Sequence, residues 1–188
     1  MKLTGVIIAG GQSKRMGEDK LFIRFQGDTL LNRAIALLKN ITDEIIISTN
    51  RTDLELKYRI VADKVADIGP LGGIYTALLE AKTQKILIIP VDMPLLNMQI
   101  IAHLLKNFDN DALINVYRTQ NHTQMLVGLY DKKLLPLIKK QIENNQYKLR
   151  SLLQLSAINI IDGSTFEELF VNTNTPEQLK KIKRKYEH

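Results

Sequence analysis

Short, almost uninterrupted apolar runs alternate along this chain with stretches whose apolar residues return every three or four positions. Residues 6–9, Val-Ile-Ile-Ala, read as a first strand. Residues 29–40 read as a helix, with Leu30, Leu31, Ala34, Ile35, Leu37 and Leu38 on one broad face and Asp28 or Thr29 as its cap. Residues 44–48 form a β-branched strand and residues 60–61 a very short one. Residues 74–81 are helical, entered through Gly-Pro-Leu-Gly-Gly. Residues 85–91 are a nearly continuous apolar run, the kind a strand shows when both its faces are buried. Pro90 near its end predicts that pairing stops there on one side, because proline has no N–H to give. Asn97 caps a helix carrying Ile100, Ile101, Leu104 and Leu105.

The second half is less regular. Residues 112–116 and 125–130 read as strands, antiparallel neighbours across the polar stretch 118–124. Residues 131–142 are helical, 148–155 a short helix and 157–161 another strand. The last helix opens with Thr175 as N-cap, Pro176 in first position and Gln178 three residues after the cap. No linker or repeat divides the chain, so one domain is expected over residues 1–188. The alternation predicts an α/β three-layer sandwich: a mostly parallel sheet with helices on both faces, Rossmann-like in outline. Ligands of such sheets bind beyond the carboxyl ends of the strands. Residues 10–20, 48–51 and 92–94 are polar clusters at strand ends and should converge there.

Composition narrows the chemistry. At 188 residues with 45% hydrophobic positions, the chain can bury a sizeable core. It has no cysteine, which excludes disulfides, zinc thiolates and a cysteine nucleophile. Neither a signal peptide nor a bilayer-spanning run is visible, and a cytoplasmic protein with no membrane partner is expected. The formal charge is +6, but Lys180, Lys181, Lys183, Arg184 and Lys185 crowd the end of the last helix, where cations suit the helix dipole. Aromatics are 6% and not interleaved with the bases, so no nucleic-acid stacking platform is expected.

The densest chemistry lies in residues 6–20, Val-Ile-Ile-Ala-Gly-Gly-Gln-Ser-Lys-Arg-Met-Gly-Glu-Asp-Lys. Gly10, Gly11 and Gly17 allow close backbone approach, and Arg15 and Lys20 bring positive charge, a combination suited to phosphate. The spacing is neither that of a Walker loop nor that of the dinucleotide Gly-x-Gly-x-x-Gly turn. Asp92 follows directly on the apolar run 85–91, well placed to hold Mg²⁺ between phosphate oxygens. Lys14 reads as a surface cation, and His103 and His188 as structural or exposed.

Four segments in this order resemble the MobA-like nucleotidyltransferases: residues 7–20 as the signature loop, 67–78 (Asp-Ile-Gly-Pro-Leu-Gly-Gly-Ile-Tyr-Thr-Ala-Leu), 88–96 (Ile-Ile-Pro-Val-Asp-Met-Pro-Leu-Leu) and 170–179 (Phe-Val-Asn-Thr-Asn-Thr-Pro-Glu-Gln-Leu). The last is similar to the branch that transfers GMP from GTP to molybdopterin, generally molybdenum-loaded, and releases pyrophosphate in molybdenum cofactor biosynthesis. The resemblance implies a nucleotide site lined by Ile8, Ala9, Gly10, Gly11 and Ser13, with Arg15 and Lys20 on the triphosphate and leaving pyrophosphate and Asp92 on the metal. It implies further nucleotide contacts from Ser48, where relatives often carry Asn, and from Asp63, with Asp67 a second acid; Pro70, Leu71 and Gly72 would lie against the base. The N-terminal half would thus bind nucleotide. The C-terminal half would bind molybdopterin through Arg118, His122, Arg150, Asn172 and Asn174. His122 is followed by Thr123 where the family usually has Pro. The resemblance also implies proteins that deliver the pterin or take the finished cofactor. Two other readings stay open at this point: a cytidylyl or other small nucleotidyltransferase, and a nucleotide-binding regulator without catalysis.

Overall fold

The sheet is built around two strands that are buried from end to end. In the computed structural model, which describes residues 1–10, 19–51, 53–120 and 122–187, β1 (Leu3–Ile8) and β6 (Lys85–Pro90) are buried at every position. They lie side by side and parallel at the centre, Val6 opposite Ile88 and Ile8 opposite Pro90. Parallel to them on one side run β4 (Glu44–Ser48) and β5 (Arg59–Val61). On the other side β8 (Thr123–Asp131) runs antiparallel between β6 and β7 (Ile114–Arg118), and β9 (Ile158–Asp162) completes the edge parallel to β7. The order is β5-β4-β1-β6-β8-β7-β9, a seven-stranded sheet with one strand reversed. β6 pairs with β8 only as far as Ile88, while Pro90 remains paired with β1, as the missing proline N–H requires.

Side chains alternate across the sheet and build two cores. Leu3, Ile7, Ile45, Ile47, Leu87 and Ile89 face α1 (Leu30–Leu38), α3 (Met98–Asn107) and α6 (Pro176–Tyr186). Val6, Ile8, Ile46, Ile86, Ile88 and Ile114 face α2 (Pro70–Glu80), α4 (Leu135–Glu143) and α5 (Leu152–Leu155). The fold is therefore the expected three-layer α/β sandwich. No helix among the described residues is long and apolar enough to cross a membrane.

Local signals explain the helix starts. The Thr29 hydroxyl accepts the N–H of Asn32, Asn97 accepts those of Gln99 and Ile100, and Thr175 with Gln178 forms a reciprocal capping box. Two features depart from the sequence pattern. The second helix begins at Pro70 rather than at residue 74, so Pro-Leu-Gly-Gly is its first turn and Gly69, at φ +65°, its cap. Pro at the first position and a positive φ before it outweigh the poor helix propensity of two glycines. A small hairpin, β2 (Arg24–Phe25) and β3 (Asp28–Thr29), turns through Gln26 and Gly27, both with positive φ.

Candidate nucleotide and metal site

The topology fixes where the polar clusters meet. The carboxyl ends of β1, β4 and β6 share one edge of the sheet, and the connection from β7 to the antiparallel β8 opens on that edge too. Past the strand ends the backbone stays tied for a residue or two: Val91 donates to the Ile8 carbonyl at 3.0 Å, Ala9 to Ser48 at 2.8 Å, and Thr49 to Val61 at 2.9 Å.

Beyond these ties three side chains from distant parts of the chain converge. The Lys20 ammonium donates to Asp92 Oδ2 at 3.2 Å and to Asn174 Oδ1 at 2.6 Å, across 72 and 154 residues of sequence. Lys20 opens a single turn of 3-10 helix (Lys20–Phe22) whose first free N–H, that of Leu21, is capped by the Asp19 carboxylate. Asp19 is also ion-paired to Arg51, beyond the end of β4. Lys20 and Asp92 are each 21% exposed at their side chains, so the pair is partly shielded but open to a ligand. Among the described residues, Asp19 and Lys20 thus meet Arg51 and Asp92 of the other two strand-end clusters, with residues 172–174 added to them.

The turn bearing Asp92 is fastened from a second direction. Thr173, fully buried, donates both its N–H (2.8 Å) and its hydroxyl (3.1 Å) to the Asp92 carbonyl. Asn174 and Thr175 donate their N–H groups to Gln178 Oε1, which fixes the chain just ahead of α6.

A second polar group lies beyond β4. Asp63 receives a hydrogen bond from the Asn50 amide at 3.4 Å, and its own N–H donates to Asn50 Oδ1 at 2.8 Å. Burial pushes the Asp63 carboxyl above the usual carboxylate range; the bonds from Asn50 and Ser48 offset only part of that. A half-buried acid of this kind is suited to accept hydrogen bonds from the N–H groups of a ligand. Ser48 itself is 2% exposed. A Cβ on Gly73 would stand 2.7 Å from its hydroxyl, so glycine there lets the first turn of α2 settle onto Ser48 and Asp63. Gly72 is likewise packed close, against the Val65 carbonyl and Asp63.

Ser48 and Leu71, two of the expected nucleotide residues, are buried. Ser48 is small and supports Asp63. Leu71 is wholly buried in the core under α2, because the helix starts early enough to turn that position inward. Pro70 stays exposed at the helix start. Ile8 is buried, Ala9 half-buried and Gly10 exposed with open space around it. Gly11, Ser13 and Arg15 lie outside the described residues.

The pterin-side candidates are less gathered. Arg118 and His122 flank the β7–β8 turn at the active edge, both exposed. The His122 carbonyl accepts from the Thr119 N–H and hydroxyl at 2.8 and 3.0 Å, so the turn is closed through its backbone despite Thr123 in place of Pro. Asn172 is half-buried beside Thr173. Arg150 is exposed in the α4–α5 connection. Among the described residues none of these four is hydrogen-bonded to the Lys20–Asp92–Asn174 group; only Asn174 is part of it. Asp67 is exposed with φ +61° just before α2. His103 is structural: its Nδ1 is 3.0 Å from the Tyr117 hydroxyl and its ring packs on Phe166.

The donor set fits magnesium on an observation of the site itself. Two hard oxygens, Asp92 Oδ2 and Asn174 Oδ1, already hold a cation between them, the Lys20 ammonium. No group of three His, Cys, Asp or Glu is gathered among the described residues. One carboxylate completed by phosphate oxygens and water is the ligand set magnesium accepts, not an all-protein cage.

Sequence reasoning passed over Asn50, Arg51 and Thr173. Each sits inside a cluster it did single out, but their partners, Asp63, Asp19 and Asp92, are long-range and leave no local pattern.

The chain is similar to known proteins. Residues 5–160 match the family model described as "MobA-like NTP transferase domain". A Flavobacterium johnsoniae protein named "Probable molybdenum cofactor guanylyltransferase" is 34% identical over 184 residues, covering 96% of each chain. A Vibrio parahaemolyticus protein named "Molybdenum cofactor guanylyltransferase" is 34% identical over 178 residues, 93% of this chain and 91% of its own. The crystal structure of molybdopterin-guanine dinucleotide biosynthesis protein A from Archaeoglobus fulgidus superposes with a TM-score of 0.81 at 16% identity, over 96% of this chain and 97% of that one, a likeness of fold.

Proposed function

The chain belongs to the MobA-like NTP transferase family, and from that premise we propose that it is a molybdenum cofactor guanylyltransferase. It transfers GMP from GTP to molybdopterin, with or without molybdenum, and releases pyrophosphate. The observation that carries the reading is the meeting of Lys20, Asp92 and Asn174 at the carboxyl edge of the sheet. The names of relatives 34% identical along nearly the whole chain support the choice of substrates.

The reaction asks little acid–base work of the protein. A terminal phosphate oxygen on the pterin attacks the α-phosphorus of GTP. A new P–O bond forms, the bond to the β-phosphate oxygen breaks, and its electron pair leaves with pyrophosphate. The attacking oxygen is already anionic, so no protein nucleophile is required. What is required is to align two polyanions and hold the charge that builds on the transferring phosphoryl group. We assign Arg15 and Lys20 to the triphosphate, and the backbone of residues 10–13 to its approach. Asp92 with Asn174 would hold Mg²⁺, which when bound supplies charge neutralisation on the phosphate oxygens. Asp63, held by Asn50 and Ser48, accepts hydrogen bonds from the nucleotide. The N-terminal half serves the nucleotide and the C-terminal half the pterin, with Arg118, His122, Arg150 and Asn172 facing the second substrate. The reading carries with it a cytoplasmic setting and proteins that deliver the pterin or take the product.

The test is turnover of GTP with purified molybdopterin and Mg²⁺, followed by pyrophosphate release and chromatography of the dinucleotide. Asp92→Ala is expected to lose turnover to background while remaining folded. A thermal-shift comparison of GTP and CTP checks the base: stabilisation by CTP and not by GTP would replace guanylyl by cytidylyl transfer. Full turnover by the Asp92→Ala enzyme would remove the metal assignment.

A further inference from the structure

The sheet ends where the chemistry begins. Val91 makes the last ladder bond, to Ile8, and residues 92–96 then run as a turn, closed on itself only by a 3.3 Å bond from Leu96 to Met93. Nothing in the ladder fixes the direction of Asp92. Two other contacts do. On one side Thr173 places two donors on the Asp92 carbonyl. On the other, Arg33 reaches from α1 and donates Nη2 to the Pro94 carbonyl at 3.1 Å. Its guanidinium lies 5.0 Å from the centre of the Phe25 ring, on the β2–β3 hairpin, and its Nε is buried. A guanidinium over an aromatic face with one N–H on a carbonyl uses the broad, weakly hydrated head of arginine and not just its charge.

We propose that Arg33 and Thr173 are positioning residues for Asp92, a two-sided clamp on the turn that carries the metal carboxylate; this rests on the assignment of Asp92 to the metal. Neither side chain touches a reacting atom. Each grips a backbone carbonyl, one at Asp92 and one two residues later, and together they fix the plane from which the carboxylate projects. Outer contacts that orient a metal ligand are commonly worth about 10–100-fold in metal affinity or activity. The clamp also ties the turn to three elements: α1, the hairpin beneath Arg33, and the segment leading into α6. The small hairpin thereby gains a purpose, as the platform from which Phe25 faces the guanidinium.

The experiment measures Mn²⁺ binding to the GTP complex by electron paramagnetic resonance, with GTP affinity measured separately without metal, and kcat and KM. Arg33→Met is expected to weaken Mn²⁺ by ~10-fold and lower kcat, with metal-free GTP affinity within twofold of wild type. Arg33→Lys is expected to recover little, since it keeps the charge and loses the broad guanidinium head over Phe25. Thr173→Val, which removes the hydroxyl and keeps the N–H, should show a smaller loss of the same kind, and Thr173→Ser should restore wild-type values. Metal affinity unchanged within twofold in folded Arg33→Met and Thr173→Val overturns the clamp, as does recovery of Arg33→Met by lysine. If Arg33→Met does not fold, Thr173→Val against Thr173→Ser decides: equal Mn²⁺ affinity in those two overturns it. Asp92→Asn separates this from the reading beneath it. Wild-type Mn²⁺ binding by Asp92→Asn would refute the metal assignment itself, whereas loss in Asp92→Asn with none in the clamp variants refutes the clamp alone.

Discussion

At the residue scale the site turns on one ammonium. Lys20 bonds to Asp92 and Asn174, the same two oxygens assigned to the metal. Two cations brought to the same pair of oxygens repel one another, so Lys20 and a divalent ion compete. The partly exposed pair makes the competition mild, since solvent screens it. On the assignment of Lys20 to the triphosphate, GTP would end the competition by giving the ammonium a better acceptor. Lys20→Met is therefore expected to act in opposite directions on two ligands: nucleotide affinity falls, while Mn²⁺ affinity measured without nucleotide rises by ~3–10-fold, the equivalent of about 1 kcal/mol. Calorimetry with each ligand alone checks it, and equal or weaker Mn²⁺ binding by Lys20→Met would count against the shared oxygens. Sequence made Lys20 and Asp92 legible separately, one by the glycine loop before it and the other by the apolar strand before it. Their direct contact, and the buried parts played by Ser48 and Thr173, were not legible. Those depend on which side of a turn faces inward, and no periodic signal records that outside helices and strands.

At the element scale the reading was strongest where burial is complete. β1 and β6 are apolar at nearly every position because they lie in the middle of the sheet with helices over both faces, and that is a signal period cannot blur. It was weakest where an element is only two residues long, as in the β2–β3 hairpin, or where glycines open a helix, as at Gly72 and Gly73. The reversed strand β8 needed a further device. Its last residue, Asp131, lies opposite Lys85, the first of β6, in a buried ion pair at 3.0 Å, with Gln84 and the Lys133 N–H also donating to the carboxylate. Burial alone would raise the Asp131 pKa, but the bonds from Lys133, Lys85 and Gln84 outweigh it and hold the group below the usual range. A depressed carboxyl contributes stability above its unfolded value, about 3.9, and loses it as pH falls through the folded one. Asp131→Ala, which strands the Lys85 ammonium, is expected to cost ~3–5 kcal/mol in urea unfolding at pH 7, and less of that difference should remain toward pH 3. Lys85→Met with Asp131→Leu should be closer to wild type than either single change. Because the pair lies at the far end of β6 from Asp92, turnover per folded molecule should be unaltered.

At the scale of the whole molecule the excess charge has a place as well as a sign. α6 starts directly after Asn174 and ends where Gln26 of the hairpin bonds to the Tyr186 carbonyl and the Glu187 carboxylate. Ile182 anchors it in the core, so the helix is structural and cannot be cut away without damage. Its exposed face carries Lys180, Lys181 and Arg184, none in an ion pair among the described residues. A protein of formal charge +6 whose substrates are both polyanions should collect them faster than a neutral one, and the advantage should fade as salt shortens the Debye length to about 8 Å at 0.15 M. The charges on α6 are the separable part of that field. Changing Lys180, Lys181 and Arg184 together to Gln is expected to lower kcat/KM for GTP severalfold at 10 mM salt, with kcat unchanged, and to leave no difference at 0.3 M. The unfolding free energy should move by less than ~1 kcal/mol, because exposed charges contribute little to it. Stopped-flow association of a fluorescent GTP analogue across a salt series reads this directly. A salt-independent defect would instead put one of the three in contact with substrate. Salt-sensitive binding of single-stranded RNA by the wild type, lost in the triple variant, would turn the same face into a nucleic-acid site, which the scarcity of aromatics beside these cations argues against.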